Sequence, residues 1–211
     1  MITYRKATLT DQAEIIALLS ESFLAYDYYK IYVTDEQKRI EFVKIIQELC
    51  VKTSFKKDYP ILVATIEQKI VATAILIPPF AAKVTIFDYL LAGGLKLLPY
   101  GGIKNTLGFL TMMKEANAVC QQTYPQAWFL EPFAVSNQHQ GQGIGRKMLN
   151  DWVKPYIAKH GGGILTFITN SESNRRFYQK NGFSEFHCGE IRRNHKTLGN
   201  WSYKAVLQPE K

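Results

Sequence analysis

Cysteine is scarce in this chain. Cys50, Cys120 and Cys188 lie far apart among 211 residues. A sparse, odd set excludes a disulfide framework, and without a CxxC spacing it offers no zinc site. Each reads as a small buried hydrophobe or an inert thiol. The four histidines, His139, His160, His187 and His195, have no metal-ligand spacing either, so no metal is expected. Long apolar runs are also missing. The best, Ile70 to Ala82, is cut by Pro78 and Pro79, and none reaches the ~18–20 residues of a membrane span. The first residues, Met1-Ile2-Thr3-Tyr4-Arg5-Lys6, lack a basic region followed by an apolar core. A cytoplasmic protein with no membrane partner is expected. With no repeat, low-complexity tract or long linker, residues 1–211 are expected to form one domain.

Acid is in deficit, with 18 Asp and Glu against 26 Lys and Arg, a net charge of +8. Such a balance draws polyanions: nucleic acid, acidic membrane or phosphorylated small molecules. The basic residues are scattered, apart from a group at Arg192-Arg193-Asn194-His195-Lys196. No repeated basic–aromatic pattern of a nucleic-acid binder is present, so nucleic acid is not expected as a partner. A solvated basic surface is the plain reading, and a phosphate-bearing cofactor the sharper one. What the chain has in quantity is apolar mass. Apolar residues make up 46%, with 12 Phe, 12 Tyr and 3 Trp, enough to exclude disorder of the whole chain.

The hydrophobic pattern predicts a strand over Ile2–Ala7, then a helix opened by Thr8-Leu9-Thr10-Asp11, with Glu14 completing a capping box from Asp11. Ile15, Ile16, Leu18, Leu19 and Phe23 give its apolar face. A second helix is expected from Asp35 to about Val51. Ile61–Ile66 and Lys69–Ile77 read as a hairpin around Glu67-Gln68. Residues 80–126 form a largely helical insert carrying Phe87, Tyr89, Tyr100, Phe109, Met112 and Met113. Trp128–Val135 is a strand, and Gly145–Lys159 a helix that Pro155 could kink. Ile164–Thr169 is a strand, Ser173–Asn181 a short helix with Gly182 as its stop. Phe183–Ile191 and Trp201–Leu207 close the chain as strands. The alternation in the second half implies a βαβ crossover with parallel pairing.

The stretch from Trp128 to Leu149 carries the chemistry. It is strand, glycine-rich turn, helix, with glycines at 141, 143 and 145. Glycine lets backbone approach a ligand closely. A helix starting there aims free N–H groups and its positive dipole end at that ligand, which suits phosphate or pyrophosphate. The order Gly141-x-Gly143-x-Gly145 is not the GxGxxG of dinucleotide folds, and no Gly-Lys-Ser/Thr of a Walker A loop follows. A plain tight turn remains the bland alternative.

Gln140-x-x-Gly143-x-Gly145 resembles the pyrophosphate loop of the GNAT superfamily of N-acetyltransferases. Downstream, Asn174-Arg175-Arg176-Phe177-Tyr178-Gln179-Lys180-Asn181-Gly182-Phe183 is similar to that superfamily's short helix with its Phe-Tyr pair and Gly-Phe exit. The two segments span roughly residues 127–187, in the superfamily's order and separation. Within it, Trp128-Phe129-Leu130, Val135-Ser136, His139-Gln140-Gly141 and the Phe177-Tyr178 helix most resemble the puromycin N-acetyltransferase group. The first half of the chain offers no comparable likeness.

The resemblance implies an α/β fold: a mixed, splayed central sheet of the GNAT type, flanked by helices and opening between Trp128–Val135 and Ile164–Thr169 to take the pantetheine arm of acetyl-CoA. Pro132 independently suggests a bulge or parting there. The implied function is acetyl-CoA-dependent transfer of an acetyl group to a primary amine of a small molecule. A protein or peptide N-acetyltransferase and a non-catalytic CoA- or nucleic-acid-binding module are the alternatives. Backbone N–H groups of Phe133, Ala134 and Val135 would hold the pantetheine amide and acetyl carbonyl. Gln140, Gly141, Gln142, Gly143, Ile144, Gly145 and Arg146 would hold the pyrophosphate, although Arg146 and Lys147 could simply face solvent. Asn174 either contacts the cofactor or serves its own helix start. Tyr178 is the candidate general acid, its alternative being a core tyrosine beside Phe177. Glu131 is a candidate base, a holder of a cationic substrate, or a surface acid. It should share a face with Phe133 unless a bulge at Pro132 resets the register. His139 reads as loop surface. The aromatic insert would wall the acceptor, or serve as core or as the contact of a homodimer.

Overall fold

The computed structural model describes residues 1–210. Seven strands form one sheet: β1 (Ile2–Lys6), β2 (Ile61–Ile66), β3 (Lys69–Ile77), β4 (Trp128–Val135), β5 (Gly163–Thr169), β6 (Ser184–Arg193) and β7 (Lys196–Leu207). Their order across the sheet is β1-β2-β3-β4-β5-β7-β6. Every neighbouring pair is antiparallel except β4 and β5, which run parallel.

Alternation places two cores on the two faces. On one face Leu62, Ala72, Leu76, Leu165, Phe167 and Tyr203 pack with Met148, Leu149, Val153 and Ile157 of the helix behind the glycine loop. On the other, Val63, Ile75 and Ala134 pack with Ile15, Leu18 and Leu19 of α1 (Gln12–Phe23) and Val51 of α3 (Glu36–Lys56). A third core, centred on Phe42 and Phe109, joins α3 to α2 (Asp27–Tyr32) and α5 (Leu98–Thr123).

The expected elements are found with corrections. The capping box sits one turn earlier than Asp11–Glu14. Asp11 accepts the Thr8 N–H at 2.7 Å and both Arg5 guanidinium nitrogens at 2.6 and 2.7 Å, while Glu14 accepts the Ile70 N–H of β3 at 2.7 Å. The helix α2, unforeseen, buries Tyr28, Tyr29, Ile31 and Tyr32 in six residues. Asp35 caps α3 through the Lys38 N–H, and the helix runs on past Val51 to Lys56. Two hairpins turn without glycine. Glu67 and Gln68, then Asn194 and His195, all have positive φ, as a two-residue turn matched to strand twist requires. The second turn explains why β7 starts at Lys196, ahead of Trp201. It also puts the basic group at a hairpin tip, where Arg193 meets Glu115 and Arg192 meets Glu190. Of the cysteines, Cys120 is buried and Cys50 half-buried. Cys188 is exposed, and its Sγ accepts the Trp201 Nε1–H.

The helical insert consists of α4 (Ile86–Leu91), a 3-10 turn at Gly94–Leu97 and α5. α5 is interrupted at Gly102, whose φ of +68° no helix accommodates. Thr85 and Asp88 form a capping box for α4. Lys56 and Lys57 at the end of α3 each hold Asp88 at 3.0 Å, which ties the insert to α3. α6 (Ile144–Lys147), a π-helical stretch Met148–Val153 and α7 (Lys154–Lys159) follow without a break, and Pro155 sits just past the widened turns. α8 (Glu172–Lys180) stops at Gly182, which has φ +77°. Among the described residues no helix is long and apolar enough to cross a membrane.

Candidate active site

β4 and β5 pair only at Trp128–Leu165 and Phe129–Thr166, then part. The cause lies in β4. Against β3 its register steps from Leu130 opposite Leu76 to Phe133 opposite Ala74. Two residues of β4, Glu131 and Pro132, therefore stand opposite one of β3, Ile75, which is a bulge. Proline has no N–H to give the ladder, so the break falls where the sequence suggests.

The bulge also settles Glu131. Leu130 packs with Phe133 and Val135 in the core behind the glycine loop. Glu131 instead turns to the side of α5, where Asn117 Nδ2 donates to its Oε2 at 2.9 Å. Glu131 and Phe133 thus lie on opposite faces. Beyond the bulge, the Ser136 N–H donates to Val71 O of β3 at 2.8 Å. By alternation Ala134 also turns its N–H to β3, and Phe133 and Val135 turn theirs into the opening. Of the three expected backbone donors, two face the gap.

The loop after β4 is braced from within. Gln140 Nε2 donates to Val135 O at 3.2 Å and to Asn137 Oδ1 at 3.1 Å, and Gln142 Nε2 to Gln138 O at 3.4 Å. His139 Nδ1 stands 3.4 Å from Ser136 Oγ, so this half-buried ring belongs to the loop. Gly141 and Gly143 both have φ +78°, and a Cβ on either would point into open space. Gly145 differs. Its Cβ would meet Phe177 and Val135 at 3.3 Å, so it lets α6 pack against β4 and α8. Ile144 is buried behind the loop, and Arg146 is exposed at its edge. The open cradle and the first N–H groups of the helix suit a pyrophosphate.

α8 brings the second motif to the same gap. Tyr178 is buried against Phe167, at 4.3 Å between ring centroids, and against Phe183 and Tyr203. The core and catalytic readings are thus compatible. The ring is core, while the residue lines the gap and its hydroxyl makes no hydrogen bond among the described residues. Burial, then the nearby Tyr26 and Tyr203, push its pKa up, so the hydroxyl stays protonated. Asn174 does not cap α8. It reaches across the gap to Tyr26 Oη at 3.5 Å.

These parts line one continuous cavity of ≈ 1220 Å³. It runs from Gly141, Gly143 and Arg146, past Phe133, Val135 and Tyr178, to Glu131, and then between α2, α3 and the insert. Small-molecule sites occupy ~300–1,000 Å³, so there is room for two ligands to meet. Glu131 stands at the junction. Burial raises its carboxyl to about 7, against the Asn117 hydrogen bond, which lowers it. Burial likewise pushes the Cys50 thiol up to about 12, which leaves it unreactive.

A strand order with one parallel pair, parting at a bulge above a glycine loop, is a specific arrangement. A family model described as acetyltransferase (GNAT) domain matches residues 103–185. The chain has the fold of a GNAT acetyltransferase. Solved structures agree along its whole length. The histone acetyltransferase HPA2 and related acetyltransferase of Corynebacterium glutamicum is 19% identical with a TM-score of 0.66, covering 100% of this chain and 99% of that one. The Salmonella typhimurium protein yncA, solved with its cofactor acetyl-CoA, is 15% identical (TM-score 0.60, 99% and 95% covered). Polyamine N-acetyltransferase of Drosophila melanogaster is 15% identical (TM-score 0.60, 98% and 100% covered). No curated protein matches the sequence. The family match begins inside α5, ahead of the strand that carries Glu131.

Sequence reasoning missed Asn117. With Thr106, it is one of two buried polar residues of α5, at helical spacing among Phe109, Met112, Ala116 and Cys120. That polar break in an apolar stripe was the available signal. It also missed Tyr28, Tyr29 and Gln47, which line the cavity, with Gln47 Nε2 donating to Tyr29 Oη at 2.9 Å.

Proposed function

We propose that this protein is an acetyl-CoA-dependent N-acetyltransferase acting on a primary amine of a small molecule. The observation that carries the reading is the continuity of the cavity, from an open glycine cradle to a half-buried carboxylate. Bound acetyl-CoA supplies an acetyl thioester. Gly141, Gly143, Ile144 and the start of α6 receive its pyrophosphate. Phe133 and Val135 donate N–H bonds to its pantetheine arm and to the acetyl carbonyl, where negative charge develops. Gln140 and Gln142 hold the loop in shape, and Arg146 at the edge adds positive charge.

Glu131 takes the proton of the acceptor ammonium, directly or through a water, and leaves the amine free to attack. A carboxyl at about 7 is partly ionised at neutral pH and basic enough to hold that proton. Asn117 orients the carboxylate. Tyr178 donates its phenolic proton at the departing sulfur. Its raised pKa keeps the phenol protonated across the working range, and the phenolate left after donation takes the second proton that the nitrogen sheds as the amide forms. Cys50, Cys120 and Cys188 are not needed as nucleophiles, because the amine attacks the thioester itself. The test is thiol release from acetyl-CoA across a panel of primary amines. Release that requires both an amine and the protein, with the matching amide formed, is expected. Absence of release from every amine would sink the proposal.

A further inference from the structure

Resting on that acetyl-transfer reading, we infer that the acceptor is a monoamine with a bulky apolar body, admitted through the mouth framed by α4 and α5. Charge is the first argument. Among the described residues lining the cavity, Glu131 is the only carboxylate, while Lys114 and Arg146 are both there. One carboxylate matches one ammonium. Each further positive charge of a polyamine or a basic peptide would lose water without gaining a counter-ion.

The wall is the second argument. Beyond Glu131 the cavity is faced by Ile46 and Leu49 of α3 and by Tyr89, Leu97, Leu110 and Met113 of the insert. The mouth is the third. Ile86, Leu90, Leu95, Ile103 and Leu107 line the cavity yet stand in solvent, with Ile103 66%, Leu95 64% and Leu107 56% exposed. Single exposed apolar residues are ordinary. Five that border one opening make a patch whose burial awaits a ligand. A peptide would bring a row of backbone polar groups against that rim, which an apolar body does not.

The test uses the intact protein with acetyl-CoA and reads thiol release. The acceptors are n-alkyl amines of rising length, arylalkyl amines, spermidine and a lysine peptide. kcat/KM should rise by up to about fourfold per added methylene until the pocket is filled. Spermidine and the peptide should fall roughly a hundredfold below the best apolar monoamine. A Leu95→Lys, Ile103→Lys double variant changes only exposed positions and so should fold. It should cut the preference for long over short alkyl amines by about tenfold. A flat length series, or a preference for spermidine or the peptide, overturns this inference and leaves acetyl transfer standing. No thiol release with any amine overturns both.

Discussion

In the proposed reaction Glu131 and Tyr178 would divide the proton traffic, because their surroundings differ. Burial raises the Glu131 carboxyl to about 7, and Asn117 opposes that rise. A base must be ionised, so kcat/KM should climb with pH through about 7 and then level off. Glu131→Gln should remove this limb and lower kcat/KM by roughly 10²–10⁴. Asn117→Ala withdraws the bond that favours the carboxylate, so its limb should move to higher pH. An unshifted limb would deny Asn117 that role. The same carboxyl links pH to stability. Its ordinary value is 4.5, so between about 4.5 and 7 the folded state holds more of the proton than the unfolded chain does. Stability should fall as pH rises through that window in the protein without ligand, and Glu131→Gln should flatten the decline in a series of melts. For Tyr178 the informative change is Tyr178→Phe, which keeps the ring packed on Phe167 and removes only the hydroxyl. Turnover should drop roughly ten- to a thousandfold, with acetyl-CoA affinity and melting temperature little altered. Parental turnover in that variant would rule the acid role out.

At the scale of elements, the two glycines that flank Ile144 do different work. Gly143 sits at φ +78° with open space before it, whereas Gly145 lies under Phe177 and Val135. Gly143→Val puts a β-branched side chain at a positive φ, so it should weaken acetyl-CoA binding and lower the melting temperature through backbone strain, whereas Gly145→Val should lower it by prising α6 from β4 and α8. An unmoved melting temperature for Gly145→Val would contradict its packing role. The loop, the β4 strand, the β2–β3 hairpin and α8 were legible in the sequence, because each is written in local chemistry: glycine order, alternation, helical spacing. Other features were not. α2 is only six residues long and too short to show a period, and it is held because Tyr29 and Tyr32 pack on Phe109 of α5. Glu14 looked like a capping residue, yet its partner is the Ile70 N–H on a strand remote in sequence. The facing of Glu131 depended on a bulge whose presence Pro132 signals but whose register only β3 fixes.

Across the whole molecule, the sheet is opened by one short parallel pairing, and the insert closes the far end of the gap. The resemblance of the loop and of α8 implied the opening and its cofactor end. The end proposed for the acceptor was illegible, because it is assembled from α2, α3 and α5, whose stripes read equally well as core. Much of that stripe is indeed core, with Phe109 and Met112 fully buried, while Tyr89 and Met113 face the cavity. Every assignment in the cavity depends on use of acetyl-CoA, so its binding is the most direct measurement. Calorimetric titration of acetyl-CoA into the intact protein, paired with melts, should show one site per chain. At a hundredfold excess over Kd, the melting temperature should rise by on the order of 5–10 °C. No heat of binding together with an unmoved melting temperature would contradict the account.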